Sequence, residues 1–205
     1  MTFRPVALAA TLALTIAACG NSSSSSDATA NPLDTTTEFV VNPIEWKACD
    51  GSTSTEVECG NIEVPFDYTD PEQGSFVLYV KKHNASNPAS RIGSMMVNPG
   101  GPGFGGSSLA DDAQYYFSQD LIDNFDIIAW DPRGTGESTP AINCVDTYDE
   151  YFGLDSPPET PDEKQALIDA SQAFNDKCEE NSGTILPYIS TKASAQDINS
   201  LRLAL

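Results

Sequence analysis

The feature that most constrains this chain is a loop of glycine and proline, "VNPGGPGFGG", at residues 97–106. Five glycines and two prolines in ten positions exclude a regular helix or strand there. The loop follows a short apolar run and precedes a helix-like stretch, and glycines let backbone N–H groups come close to an anion. The sequence therefore predicts an anion-binding loop, either for a phosphate or for a transient oxyanion.

Four apolar segments predict the strands of one sheet. The first two, 61–68 and 75–83, are separated by the turn-like "TDPEQG" and are expected to be antiparallel. The third, 92–98, shows little polar alternation, so we expect it to be buried on both faces. The fourth, 125–131, is again mostly apolar.

Helical patterns follow the third and the fourth predicted strands. They cover 107–125, 162–181 and a last stretch, "SAQDINSLRLAL", that has no stop signal. This order of elements predicts an α/β fold in which a mixed sheet becomes parallel. Ligands of such sheets bind at the carboxyl ends of the strands. Glycine-rich loops follow both Asn98 and Asp131, and this placement favours a site over a mere turn.

A dinucleotide-binding loop is one interpretation of the first glycine segment. Gly101, Gly103 and Gly106 fit G-x-G-x-x-G, and Asp131 ends the next strand, where a ribose-binding acid would lie. Against this interpretation, Pro102 removes a backbone donor from the turn, and the interval from Gly101 to Asp131 is longer than usual. The amino terminus, described below, also predicts export to a compartment that has no ready supply of nicotinamide cofactor. We therefore favour an oxyanion and expect no cofactor.

The two glycine segments together resemble those of a known enzyme family. "NPGGPG" resembles the H-G-G-P-G oxyanion loop of proline iminopeptidase-type hydrolases, with Pro99 in the histidine position. "DPRGTGES" at 131–138 resembles the D-x-R-G-x-G-x-S turn after their fourth strand. With "ECGNIEVPFDYTDPEQG" and "YISTKASAQDINSLRLAL", the match covers residues 45–205. The chain thus looks like the tripeptidyl-aminopeptidase-like branch of exported α/β-hydrolases, represented by the amino-terminal half: the first four strands and flanking helices.

This resemblance implies roles for five residues. Gly101 would offer the first oxyanion N–H, and Gly100 would let the backbone approach. Pro102 would shape the loop, with the Gly101–Pro102 bond a candidate cis peptide. Asp131 and Arg133 would shape the loop beside the site, as an ion pair.

The family's nucleophile lies on a G-x-S-x-G turn after a fifth strand, and no such motif occurs in this sequence. Ser107 and Ser108 stand at a predicted helix start, in N-cap positions. His83, the sole histidine, ends an early strand, and we expect it to be exposed. No catalytic residue is assigned within the chain; nucleophile, acid and histidine are expected beyond Leu205. We therefore expect the 205-residue chain to be inactive alone. A truncated gene model or pseudogene would explain this better than a genuinely short relative, which stays open.

The amino terminus predicts export and a lipid anchor. Residues 1–18 have the charge and the short apolar run of a signal peptide. "IAAC" resembles a bacterial lipobox, which implies lipidation of Cys19 and a membrane-anchored lipoprotein on the periplasmic or cell-surface side. Residues 19–43 are rich in serine and threonine and predict a disordered tether. The α/β-hydrolase domain would then occupy 44–205.

Charge and cysteines restrict the partners further. A net charge of −20 makes nucleic acid a poor partner. Four cysteines follow Cys19, and an even count in an exported chain predicts two disulfides. Three connectivities can join them, and we favour Cys49–Cys59 and Cys144–Cys178. No C-x-x-C spacing accompanies the single histidine, so no metal site is expected.

Two functions of different classes remain open from sequence. The first is an exported serine hydrolase acting on a peptide or on a small ester or amide, in the way of a peptidase that releases short peptides from free amino termini. The second is a non-catalytic, lipid-anchored binding or scaffold protein that keeps the front half of the fold.

Overall fold

A computed structural model describes residues 39–50, 55–101 and 103–205. The predicted signal peptide at 1–18, Cys19, most of the predicted tether and Pro102 lie outside the described residues, as does the Gly101–Pro102 bond. All of the described residues belong to one compact unit. No helix among them combines the length and the apolar character that crossing a membrane requires.

The described part contains a mixed, mostly antiparallel sheet of five strands. They are β1 (Lys47–Ala48), β2 (Val57–Asp67), β3 (Asp70–His83), β4 (Gly93–Val97) and β5 (Phe125–Trp130). Their order across the sheet is β1-β2-β3-β5-β4. Only the β4–β5 pairing is parallel. The predicted mixed sheet is therefore confirmed. Three of its four strand pairings are antiparallel, and one is parallel.

The hairpin of β2 and β3 is longer than the sequence pattern predicts. The turn occupies only the residues between Asp67 and Asp70, where Asp67 Oδ1 accepts the Thr69 N–H at 2.8 Å. Most of the turn-like "TDPEQG" therefore belongs to β3. Gly74 marks this extension, because its φ of 125° is a conformation that glycine adopts readily.

Strand β4 is half-buried rather than buried on both faces, so that expectation was wrong. Its residues are mostly of intermediate exposure. The reason is its position: among the described residues, β4 has a strand neighbour only in β5 and forms an edge of the sheet. The lack of polar alternation in "IGSMMVN" reflects this half-buried apolar edge.

The main core lies on one face of the sheet. Alternate residues of β3, namely Phe76, Leu78 and Val80, have no solvent exposure and pack with residues of β2 and β5. Leu201 and Ala204 of the last helix cover this face. Burial of each large apolar side chain contributes about 1.5–3 kcal/mol. Every second residue of the central strand and one face of the last helix thus contribute side chains to the same core.

The predicted helix at 107–125 is interrupted. It consists of α1 (Ser108–Asp111), α2 (Ala113–Tyr116) and α3 (Gln119–Asn124). Phe117 interrupts it with an extended backbone, φ −118° and ψ 151°. The break follows two exposed tyrosines, and aromatic residues lose side-chain freedom in a helix. The continuous helix was therefore wrong, although the helical region was correctly placed.

Three helices follow β5: α4 (Asp149–Phe152), α5 (Pro161–Ser182) and α6 (Thr191–Ala204). The last two agree with the sequence pattern, whereas the short α4 was not predicted. Thr160 and Glu163 form a capping box at the start of α5, and the Ser190 side chain caps α6. These polar caps explain why each helix begins where it does.

The folded part begins earlier than residue 44. The ring of Phe39 contacts that of Tyr68 edge-on, with centroids 6.1 Å apart, and Val41 packs against the core. The Ile44 N–H donates to the Ala204 carbonyl at 3.2 Å. Phe39 and Val41 therefore belong to the fold, although the predicted tether of 19–43 places them outside it.

Candidate functional site

The two glycine-rich segments meet at one edge of the sheet. The first, 98–107, follows β4, and the second, 131–138, follows β5. Because β4 and β5 are parallel, their carboxyl ends lie side by side. A groove of about 620 Å³ opens between the segments and the start of α6, and Gly100, Gly101 and Arg133 contribute to its lining. The structure therefore brings these three predicted site residues together.

The N–H groups of the two glycines predicted to form the oxyanion site differ in their hydrogen bonds. The Gly100 N–H is used within the loop, because it donates to Asn98 Oδ1 at 2.7 Å. Among the described residues, none accepts the Gly101 N–H. Gly101 has a φ of 137°, which a residue with a Cβ rarely adopts. Gly101 is thus the better placed of the two to donate to an anion.

Asp131 connects the two glycine segments. Its side chain is 2% exposed, and Oδ1 accepts the Ser107 N–H at 2.8 Å. The other oxygen, Oδ2, accepts the Glu137 N–H at 2.9 Å. A Cβ on Gly136 would collide with this carboxylate, and the φ of Gly136 is +54°. One buried carboxylate therefore fixes the relative position of both segments.

The Asp131 backbone is anchored to the neighbouring strand. Its N–H donates to the Tyr79 carbonyl at 2.9 Å, and the Ser138 hydroxyl donates to its carbonyl at 2.6 Å. The same Ser138 oxygen accepts the Tyr79 N–H at 2.9 Å. Asp131 itself lines a different groove, of about 760 Å³, next to Tyr79 and Lys81. It holds the first glycine segment from behind rather than lining the groove that Gly101 lines.

Arg133 does not pair with Asp131, so the expected ion pair was wrong. The guanidinium is 1% exposed and forms a bidentate pair with Asp197 of α6, with Nε and Nη2 at 2.7 and 2.6 Å from its oxygens. The remaining N–H groups donate to the carbonyls of Pro65, Phe66 and Tyr188. All five donors of Arg133 are used. The segment after β5 is thereby tied to α6 and to the end of β2.

Asp197 is the residue that sequence reasoning missed. It is 1% exposed and also accepts a hydrogen bond from the Tyr68 hydroxyl at 2.9 Å. That hydroxyl also contacts Ser200 Oγ at 2.8 Å. Burial and then the Asp197 charge raise the pKa of Tyr68, which therefore remains a donor. The available signal was the spacing: Asp197, Ser200, Leu201 and Ala204 lie at helical intervals on the buried face of α6.

Among the described residues, no hydroxyl group is hydrogen-bonded to the imidazole of His83 as a nucleophile would be to its base. Ser107 immediately precedes α1, and Ser108 is its first residue. His83 is buried, 8% exposed, and the expectation of an exposed histidine was wrong. It lies on a central strand, paired with Val57 of β2 and Ile127 of β5. No described residue is a hydrogen-bond partner of its Nδ1.

Two disulfides brace the described part. They join Cys49 to Cys59 and Cys144 to Cys178, the favoured pairing. The first crosses from the end of β1 to β2 beneath Tyr79, whose hydroxyl lies 2.9 Å from Cys59 Sγ. Among the described residues, no group of three or more His, Cys, Asp or Glu side chains could hold a metal ion.

Comparison with known proteins gives several related enzymes. The chain is 32% identical over 171 residues to a tripeptidyl aminopeptidase of Streptomyces coelicolor, a match that covers 79% of the chain and 31% of that enzyme. It is 29% identical over 173 residues to the serine protease Hip1 of Mycobacterium tuberculosis, with 80% and 32% covered. It is 30% identical over 169 residues to a carboxylesterase B of Mycobacterium tuberculosis, with 78% and 32% covered.

The match extends over most of this chain but over a limited part of the relatives. No protein-family model matches the chain. The chain spans about a third of the length of these relatives, at 31% and 32%. All three relatives have the names of hydrolases: two are named as enzymes that cleave peptide bonds, and one as an enzyme that cleaves esters. The similarity therefore supports a hydrolase.

Proposed function

We propose that these residues form the amino-terminal part of an exported serine hydrolase of the α/β-hydrolase fold. Its activity would be that of a peptidase releasing short peptides from free amino termini. The observation that carries this proposal is Gly101, which lines a groove at the carboxyl edge of parallel strands β4 and β5 and whose N–H no described residue accepts. Two relatives are named as a tripeptidyl aminopeptidase and a serine protease, which supports a peptide substrate over an ester.

In this proposal, the chain contributes half of an oxyanion hole. In α/β-hydrolases one donor comes from the loop after the third strand, and the other from the residue after the nucleophile. Leaving aside the two-residue β1, β4 is the third strand, and the Gly101 loop follows it. Loss of one such donor slows acyl transfer by about 10²–10³-fold. Asn98 and Asp131 would hold the donor in place before the substrate binds.

The nucleophile and general base are proposed to lie outside these 205 residues. The sequence contains no G-x-S-x-G, and its single histidine is buried in the sheet. Ser107 donates its N–H to Asp131 at the start of a short helix rather than standing on a strand-to-helix turn. The 205-residue chain would then hold an oxyanion donor without hydrolysing a substrate. Cys19 would anchor it to a membrane through a lipid.

The same observations favour one other function. Since no nucleophile and base meet in the part of the chain that the structure describes, the fold could serve as a non-catalytic, lipid-anchored binding or scaffold protein. Such a protein would keep the Arg133–Asp197 network for stability. However, a binding or scaffold role does not explain why no described residue accepts the Gly101 N–H.

A fluorophosphonate probe, which labels activated serines covalently, separates these functions. The purified 205-residue chain should not be labelled. The DNA that follows the Leu205 codon should continue in frame to a G-x-S-x-G motif, and the complete product should be labelled on that serine. Labelling of the 205-residue chain itself would show that the nucleophile has been overlooked. A stop codon directly after Leu205 would favour the binding protein.

A further inference from the structure

A second groove lies away from the glycine segments, between helices α4 and α5. Its volume is about 470 Å³. Tyr151 and Phe174 form the aromatic part of its lining, and Ala170 and Ala173 of α5 leave room beside the rings. None of the residues proposed for the oxyanion hole contributes to it. The groove is therefore a separate feature that the proposed hydrolase chemistry does not use.

The two rings that line this groove belong to a cluster of four aromatic rings, and the other two rings of the cluster are largely exposed. Tyr151 stacks on Phe174 with centroids 5.5 Å apart and an interplanar angle of 28°. Tyr148 contacts Phe174 at 6.1 Å, and Phe152 contacts Tyr151 at 5.0 Å. Phe152 is 72% exposed and Tyr148 is 50% exposed. Such a cluster of exposed rings is typical of a surface that buries an apolar partner.

Acidic side chains accompany the rings. Glu150, Asp176 and Glu180 line the groove together with a single cation, Lys177. Lys177 is already paired with Glu180 at 2.8 Å, and among the described residues Glu150 has no ion pair. The groove therefore presents unbalanced negative charge beside exposed aromatic faces, and both attract a cation.

The base of the α4–α5 segment is fixed before any ligand binds. The Cys144–Cys178 disulfide joins the irregular segment before α4 to α5. Beside it, the Asn181 side chain donates to the Cys144 carbonyl at 2.9 Å, and Ser182 Oγ accepts the Asn143 N–H at 2.9 Å. A fixed base lowers the ordering cost of binding.

We propose that this groove binds a basic peptide segment of another protein. An apolar side chain of the peptide would lie against Tyr151 and Phe174, and neighbouring lysine or arginine side chains would face Glu150 and the exposed ring of Phe152. Charge complementarity decides the occupant, because the net charge of −20 and the acidic rim repel nucleic acid and anionic membranes. The inference does not depend on the proposed hydrolase, since binding is measured without turnover.

The test uses the full 205-residue chain and a short fluorescein-labelled peptide of alternating lysine and leucine. Fluorescence anisotropy gives the Kd at low and at high salt. Three comparison probes accompany it: a glutamate–leucine peptide, a lysine–serine peptide and phosphatidylserine vesicles. We expect saturable binding of the lysine–leucine peptide only, weakened by salt because the attraction between exposed charges is screened.

Two surface substitutions test the groove. Phe152→Ala and Glu150→Gln should each raise the Kd about fivefold, the effect of losing one exposed cation–π or charge contact. Tyr115→Ala and Glu72→Gln are matched controls, since Tyr115 is 78% exposed and Glu72 is exposed on β3. The controls should leave the Kd unchanged. Melting temperatures of all four variants should equal that of the parent chain.

Several outcomes would overturn the proposal. Equal binding of the glutamate–leucine peptide would mean that apolar contact alone suffices, and equal binding of the lysine–serine peptide would mean that charge alone suffices. Stronger binding to the vesicles than to the peptide would assign the surface to a membrane. Equal effects of Phe152→Ala and Tyr115→Ala would place the peptide elsewhere on the chain. Absence of saturable binding would also reject the groove as a peptide site.

Discussion

The buried pair of Arg133 and Asp197 gives a prediction whose magnitude follows from its geometry. Asp197→Ala removes both oxygens that receive the guanidinium, at 2.7 and 2.6 Å, and one acceptor of the Tyr68 hydroxyl. Arg133 is 1% exposed, so its charge would remain buried beside neutral carbonyls only. Loss of one partner of a buried ion pair costs about 3–5 kcal/mol. We expect Asp197→Ala to lower the free energy of unfolding by this amount.

A double variant separates the pair from the rest of the network. Arg133→Met with Asp197→Leu removes both charges, so no unpaired ion remains. Three backbone carbonyls still lose their donor, at Pro65, Phe66 and Tyr188, and each unsatisfied group costs about 1–3 kcal/mol. We therefore expect the double variant to be destabilised. Its loss of unfolding free energy should be about 2 kcal/mol smaller than the summed losses of Arg133→Met alone and Asp197→Leu alone.

The assay is urea unfolding of the chain with its disulfides intact. The fluorescence of Trp130, which is 4% exposed, reports loss of the core. The slope with urea should be unchanged, so that midpoints can be compared. Lys177→Ala is the matched control, because its ion pair with Glu180 is 58% and 65% exposed and such pairs contribute about 0–1 kcal/mol. If Asp197→Ala is no more destabilising than Lys177→Ala, the reasoning is refuted.

Three further predictions concern pH, a disulfide and a glycine. Burial raises the pKa of Asp126, but hydrogen bonds from Arg91 and a backbone N–H and the Arg91 charge outweigh it, so the pKa lies below its ordinary 3.8. Asp126→Asn should thus destabilise the chain at neutral pH in urea unfolding, and the difference should vanish as the pH falls through the depressed pKa, since a lowered carboxyl pKa stabilises only above it. Replacing Cys144 and Cys178 by serine should lower stability by about 4 kcal/mol, the loop entropy for a separation of 34 residues, measured by urea midpoint. Gly136→Ala should cost about 2 kcal/mol or more by the same assay, because its backbone has positive φ and its Cβ would meet a buried carboxylate.

The Asp126 and Gly136 variants each have a control variant. Glu63→Gln removes an exposed carboxylate that forms no ion pair among the described residues, and it should show no such loss at neutral pH. Gly93→Ala is the control for Gly136→Ala, because a Cβ at Gly93 meets nothing within 4 Å. If Asp126→Asn destabilises equally at every pH, charge is not the cause. If Gly93→Ala and Gly136→Ala have equal effects, close approach to the carboxylate is not the cause.

The elements that sequence predicts well are those with local causes. The apolar run of 75–83, rich in valine and aromatic residues, favours a strand by local preference. Thr160 and Glu163 specify a helix start through two hydrogen bonds between residues three apart. That the two glycine segments lie close together can also be predicted, because successive strands joined by a helix run parallel and end at the same edge of the sheet.

The features that sequence misses depend on distant partners. Arg133 selects Asp197, 64 residues away, from thirty acidic residues, and nothing local to "DPRGTG" favours that choice over Asp131. The burial of His83 depends on β5 lying beside β3, an order that strand patterns do not contain. The half-buried state of β4 likewise depends on its place at an edge. Sheet order and long-range charge pairing are properties of the assembled fold.

The carboxylate bridge of Asp131 has a consequence for backbone motion. The amides of Ser107 and Glu137 lie in loops, where exchange with solvent deuterium is ordinarily fast. Both donate to the carboxylate of Asp131, a residue only 2% exposed, and the backbone N–H of Asp131 donates to the Tyr79 carbonyl of a central strand. These amides can exchange only when that strand contact opens. Two loop amides far apart in sequence should thus become deuterated together, at the slow rate of the sheet.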